Sequence, residues 1–198
     1  ISLSKKKITF IHVSSCSVYN NNQTPIVWEK SKKLSYTDYG RSKIKFENFL
    51  QTQLKDNFNI VILRPSQIVD ANMENQSIVK IRHFIKKFYF LPLYSKKKVT
   101  FSFLKISRLN KLILLFILGR RELFSKNRQE YILSDNISME KLINTKFTNG
   151  IKFFKYIEIP KFFLNTAGLI MKNINLKYFH LIQACKSEIN YKSKYNIL

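Results

Sequence analysis

Tyr39 and Lys43 stand four residues apart in the segment YGRSK, and on a helix that spacing puts both on one face. A cation so placed favours the phenolate of its neighbour, so the pair could take a proton from a ligand hydroxyl or return one. Upstream, the apolar run Ile8, Phe10, Ile11 and Val13 ends in the hydroxyls of Ser14 and Ser15. A buried strand delivers polar groups to a site at its carboxyl end in this way. Taken alone, Tyr39 and Lys43 could equally be an exposed pair on a lysine-rich helix, and Ser15 an ordinary strand end. Cys16 reads as a small buried side chain rather than a nucleophile, because no histidine follows at a useful spacing.

Elements able to position these groups follow from periodicity. Residues 38–56 place Ile44, Phe46, Phe49, Leu50 and Leu54 at helical spacing, with Asp38 as the expected cap. Residues 59–63 (NIVIL) are short, apolar and β-branched, which predicts a buried parallel strand stopped by Arg64-Pro65. A helix is expected over 77–88, with Arg82, His83, Lys86 and Lys87 on a solvated face. Further on, the pattern places a loop at 90–94 and predicts β-segments at 99–106 and 130–133. It predicts helices at 109–118, at 138–143 capped by Ser138, and at 157–172 with Pro160 in the first turn.

Composition bounds the function classes. A chain of 198 residues with 45% hydrophobic content can build a core. The net charge of +23 would ordinarily point to a polyanion. Here the lysines are scattered through every segment beside abundant Asn, Ile, Phe and Tyr, as AT-rich codon usage would produce, so nucleic-acid binding is a minor alternative. Cys16 and Cys185 lie far apart without a Cys/His cluster, so neither a disulfide framework nor a metal site is indicated. The longest apolar run, 112–118, is well short of the ~20 residues a membrane span requires. A cytoplasmic chain with no integral membrane segment is the expectation.

The apolar strand ending in SSxxVY (Ser14, Ser15, Val18, Tyr19), a loop with Pro25 and Glu29, YGRSK (Tyr39 to Lys43), Glu47, and then LRPSQIV (Leu63 to Val69) follow in order. In that order they resemble the extended short-chain dehydrogenase/reductases, the group of NAD-dependent nucleotide-sugar epimerases and dehydratases. The resemblance implies an α/β fold: a Rossmann-like doubly wound parallel sheet with a small carboxyl-terminal α/β substrate lobe. Residues 1–70 would carry the second part of the cofactor domain. Residues 71–198 would be mostly substrate lobe with interleaved returning Rossmann segments. No GxxGxxG turn is present, and Gly40, Gly119, Gly150 and Gly168 are isolated. The resemblance therefore covers only the carboxyl-terminal two-thirds of a usual member, and the expectation is a fragment or a shortened product without the amino-terminal half of the sheet.

By the resemblance, Ser15, Tyr39 and Lys43 would be catalytic, with Tyr39 as general base or acid on a sugar hydroxyl. Ser14, Tyr39, Lys43, Pro65, Ser66 and Ile68 would face NAD or NADP, and Ser15, Ser66, Gln67, Arg82 and Arg108 a nucleoside-diphosphate sugar. A role in polysaccharide biosynthesis and a homodimer through the helix carrying Tyr39 would follow. The 4,6-dehydratases place an Asp-Glu pair after the first catalytic hydroxyl. Here Cys16 and Ser17 stand there, which favours an epimerase or reductase. A degenerate, non-catalytic relative serving as a binding or structural subunit is the alternative.

Overall fold

Successive apolar residues in 60–63 leave no polar face, so this strand must be covered on both sides, as in a parallel sheet. The computed structural model bears this out. It describes residues 8–20, 26–54, 58–69, 83–95, 98–119, 128–138, 155–174, 179, 182–183 and 187–193. Strand β1 (Ile8–Val13) leads to a 3-10 turn (Cys16–Tyr19), the short strand β2 (Ile26–Val27), helix α1 (Asp38–Phe49) and a π turn (Leu50–Leu54). Strands β3 (Phe58–Pro65) and β4 (Gln67–Val69) follow. A helical segment α2 (83–88) precedes β5 (Phe90–Leu93), β6 (Thr100–Lys105) and α3 (Ile106–Ile117). Then come β7 (Arg128–Leu133), β8 (Asp135–Ser138), β9 (Lys155–Glu158), α4 (Lys161–Ile174) and β10 (Asn190–Tyr191). Arg82, and the expected helical residues at 77–82 and 139–143, lie outside the described residues.

The chain divides into two compact units. The first comprises residues 1–68, 103–135 and 191–198 and contains a parallel sheet in the order β1-β3-β7. Its register runs from Ile8 opposite Phe58 to Val13 opposite Leu63, and from Ile60 opposite Arg128 to Pro65 opposite Leu133. Parallel neighbours require a crossover, and α1 supplies it between β1 and β3. Alternation along the strands then splits the apolar residues between two faces. On one face Ile60 and Ile62 pack with Leu50, Phe10 and Leu54. On the other, Val61, Leu63, Tyr131 and Leu133 pack with Leu109, Leu112 and Phe116 of α3. The unit is thus a helix-sheet-helix sandwich, and the α/β class is as expected.

The second unit, residues 69–102 and 136–190, contains the parallel pair β5-β9 and α4, whose Leu164 and Gly168 are buried. Two further sheets have the orders β4-β6-β8 and β10-β2.

Several expected boundaries shift. Strand β3 runs through Arg64 to Pro65 instead of stopping before them, because Arg64 has buried partners for its guanidinium. Thr37, not Asp38, caps α1, its hydroxyl accepting the Gly40 N–H at 3.1 Å. Ser138, the expected cap, ends strand β8, and the residues of its expected helix lie outside the described ones. Residues 155–158 are strand, and α4 begins at Lys161, with the Pro160 carbonyl accepting the N–H of Phe163 at 3.0 Å.

Candidate active site

Helix α1 turns an unexpected face to the sheet. Gly40, Glu47 and Leu50 are buried, whereas Phe46 and Phe49 are 41% and 50% exposed and stack on each other. The inward stripe at residues 40, 43, 47 and 50 carries a lysine and a glutamate. A carboxylate is buried only when paired and hydrogen-bonded. Here Glu47 Oε1 accepts from Ser14 Oγ at 2.6 Å and from Arg64 Nε at 2.9 Å. Its Oε2 accepts from Arg64 Nη2 at 2.8 Å and from Lys33 Nζ at 3.1 Å. Burial alone would raise the Glu47 pKa, but the bonds and charge of Arg64, with Ser14 and Lys33, hold it below the usual carboxylate range.

Arg64 is itself fully buried. Besides Glu47 it meets Glu130 Oε2 at 2.8 Å, the Tyr19 hydroxyl at 2.5 Å and the Glu29 carbonyl at 3.1 Å. From β3, one guanidinium therefore ties α1, the 3-10 turn, strand β7 and the loop after β2. Glu29 extends the tie, accepting the Ser193 hydroxyl at 2.5 Å and the Ile132 N–H at 3.3 Å. Glu47 and Arg64 belong to motifs visible in the sequence, yet their pairing was not read there. The usable signal was an acidic residue on the helix together with an arginine at the end of an otherwise apolar strand.

The Lys43 ammonium donates to the Val13 carbonyl at 3.2 Å and lies 5.6 Å from the centroid of the Tyr39 ring. Tyr39 is 56% exposed. Ser15 is the cap of the 3-10 turn, its Oγ accepting the Ser17 N–H at 3.1 Å, which leaves the hydroxyl proton to donate elsewhere. Ser14 is buried and its hydroxyl is given to Glu47, a bracing part rather than an open one. Cys16 is also buried, with Sγ donating to the Arg64 carbonyl at 3.1 Å, and burial pushes its thiol pKa up.

Pro65 closes β3 and is buried, and Ser66 donates its N–H to the Leu133 carbonyl at 2.9 Å. Ile68 packs against the α3-side core. Among the described residues, Ser17 Oγ, Ser66 Oγ, Gln67 Oε1 and His12 Nε2 are buried polar atoms without a hydrogen-bond partner. Three of these belong to the segments that follow β1 and β3. Arg108 is joined to Asp135, and His83 is exposed. The structure thus brings Lys43 and Tyr39 against the end of β1 and braces Ser14 beside them. It commits Arg108 to an internal ion pair.

Two predictions arise from this geometry. A Cβ at Gly40 would lie 2.0 Å from Ser35 Oγ and 2.6 Å from the Ser17 carbonyl oxygen. Because the second obstacle is backbone, Gly40→Ala must push α1 off the 3-10 turn. An overpacking loss of about 1–3 kcal/mol is expected in urea denaturation. The second concerns His12, whose ring is 4.8 Å from that of Phe46. Burial first, then the Lys43 charge, lowers its pKa from the ordinary 6.5, with Glu47 opposing and Arg64 assisting. As pH falls below 6.5, the unfolded chain gains a proton that the folded chain still refuses, so stability drops until the lowered native value is passed. The urea midpoint should therefore be lower at pH 5.5 than at pH 7.5 by a margin that shrinks in His12→Gln.

The family described as "NAD dependent epimerase/dehydratase family" matches residues 2–102. No curated protein matches the chain. Among solved structures, the UDP-glucuronic acid 4-epimerase from Bacillus cereus in complex with NAD is similar, at 17% identity and a TM-score of 0.58, over 76% of this chain and 50% of that one. The UDP-Glc/GlcNAc 4-epimerase from Campylobacter jejuni aligns at 20% identity and a TM-score of 0.57, over 77% of this chain and 52% of that one. The dTDP-4-dehydrorhamnose reductase from Yersinia enterocolitica aligns at 17% identity and a TM-score of 0.57, over 95% of this chain and 58% of that one. At these identities the likeness is one of fold, and the chain spans about half the length of the structures it matches.

Proposed function

Because the chain belongs to the NAD dependent epimerase/dehydratase family, we propose that it is part of an NAD- or NADP-dependent nucleotide-sugar epimerase or reductase of the cytoplasm. The observation that carries this reading is the Lys43 ammonium, anchored on the Val13 carbonyl and 5.6 Å from the centroid of the Tyr39 ring. In this reading Tyr39 takes the proton of a sugar hydroxyl and later returns it, while Lys43 stabilises the phenolate. The Ser15 hydroxyl donates to the reacting oxygen, its own acceptor side being held by the Ser17 N–H. The nicotinamide, when bound, accepts and returns the hydride of that carbon. The orphaned atoms Ser17 Oγ, Ser66 Oγ and Gln67 Oε1 fit a polar ligand over the ends of β1 and β3, since buried polar groups ordinarily find partners.

The chemistry at Cys16 argues against a dehydratase. A thiol that is buried, donated to a backbone carbonyl and raised in pKa supplies neither acid nor base for eliminating water. Of the two arginines expected at a nucleoside diphosphate, Arg108 is joined to Asp135 and Arg82 lies outside the described residues. Exposed Phe46 and Phe49 on α1 support a homodimer through that helix. Residues 1–70 would serve the cofactor and most of 71–198 the sugar. The second reading is a non-catalytic relative kept as a binding or structural subunit.

The test is calorimetric titration of NAD and NADP into the chain alone and into the chain joined to whatever coding sequence precedes it. Saturable binding by either form is the expected result. Binding by neither would move the assignment to the non-catalytic relative.

A further inference from the structure

Lys43 and Glu47 are separated by the interval at which a lysine and a glutamate on one helix pair with each other. Such a pair would place a carboxylate on the ammonium that the proposed mechanism needs for Tyr39. Among the described residues Lys43 forms no ion pair; it donates to the Val13 carbonyl and lies against the Tyr39 ring. A carboxylate offers about four acceptor positions. All four on Glu47 are taken, by Ser14 Oγ and Arg64 Nε on one oxygen and by Arg64 Nη2 and Lys33 Nζ on the other.

We infer that Arg64, Ser14 and Lys33 act together as positioning residues that saturate Glu47 and so keep it from neutralising Lys43. The inference deepens the enzymatic reading, on which the purpose of a free Lys43 rests, but the arrangement itself is a property of this chain alone. It gives Glu47 two tasks that would otherwise conflict. The carboxylate braces α1 against the ends of β1 and β3, and its acceptor positions are filled within that brace. Among the described residues, Tyr39 of the same helix lies beside Lys43, and His12 of β1 feels the charges of Lys43, Glu47 and Arg64.

The experiment reads Lys43 directly, without activity. Acetic anhydride labels only neutral amines, so a lysine held charged by a carboxylate reacts more slowly. Labelling of Lys43 is followed by peptide mass spectrometry, normalised to exposed Lys45, with circular dichroism to confirm the fold. In Glu47→Gln, which leaves Arg64 its Glu130 partner, the Lys43 rate should stay within about twofold of wild type. A rise of about threefold or more would mean that Glu47 already acts on Lys43, and would overturn the inference. In the double variant Ser14→Ala, Lys33→Met, one position on each Glu47 oxygen opens and Lys43 labelling should slow by about threefold or more. An unchanged or faster rate in a folded double variant would also overturn it. Should the double variant not fold, Glu47→Gln decides alone. Failure of the enzymatic reading appears separately, as absent NAD and NADP binding with the labelling pattern intact.

Discussion

Tyr39→Phe is expected to lower kcat by about 10²–10⁴-fold, the usual worth of a positioned acid-base group, on a nucleotide sugar that the cofactor-binding form of the protein turns over. The substitution removes one hydroxyl from a ring that is more than half exposed, so the melting temperature and cofactor affinity should hardly change. Loss of kcat with KM preserved is the signature of a group that acts in the transition state and not in binding. Lys43→Met should fall in the same range, with cofactor binding weakened as well if the ammonium also holds the nicotinamide ribose. Retention of more than about a tenth of the wild-type kcat by Tyr39→Phe would remove Tyr39 from the chemistry.

Arg64→Met should destabilise the first unit by about 3–5 kcal/mol, the cost of leaving a buried ionic partner unpaired. That is comparable with the whole stability of many small domains, so much of the protein is expected to be unfolded near 37 °C. The reason is specific to the site. Methionine fills similar volume but returns nothing to Glu47, which keeps only Ser14 and Lys33, or to Glu130, Tyr19 and the Glu29 carbonyl. Adding Glu47→Gln to Arg64→Met removes the stranded carboxylate, and chemical denaturation should show part of the loss recovered. If the double variant is no more stable than Arg64→Met, the ion pair is not what holds α1 to β3. Acid should act in the same sense. Glu47 has a lowered pKa in the folded state, so its stabilisation is present above the ordinary carboxylate value and is lost as pH falls through the lowered one.

Much of the first unit was legible from local pattern. The run 60–63 has no polar interruption, and a strand with no polar face belongs in the middle of a covered parallel sheet; it lies between β1 and β7. Tyr39 and Lys43 share a face because helical geometry alone requires it. The hydroxyls after β1 follow an apolar run, and that too is a local fact. The legible features depend on spacing over one or two turns or on a single strand.

The remainder depended on groups far apart in the chain. Hydrophobicity placed Phe46 and Phe49 with Leu50 on the inner stripe of α1, but the structure turns Glu47 and Gly40 inward and leaves both phenylalanines largely outside. A pattern counts apolar residues; it cannot know that Arg64, seventeen positions later, will meet Glu47 inside. Thr37 displaced Asp38 as cap because its hydroxyl reaches the Gly40 N–H. Strand β3 extended past its expected stop because Arg64 could be buried with partners. The sequence by itself determined the α/β class, the crossover from β1 through α1 to β3 and the pairing of Tyr39 with Lys43, since backbone period and apolar content decide these locally. Only the tertiary structure decided which charges meet in the brace around Glu47 and Arg64. Burying a carboxylate requires partners that folding must gather from separate elements.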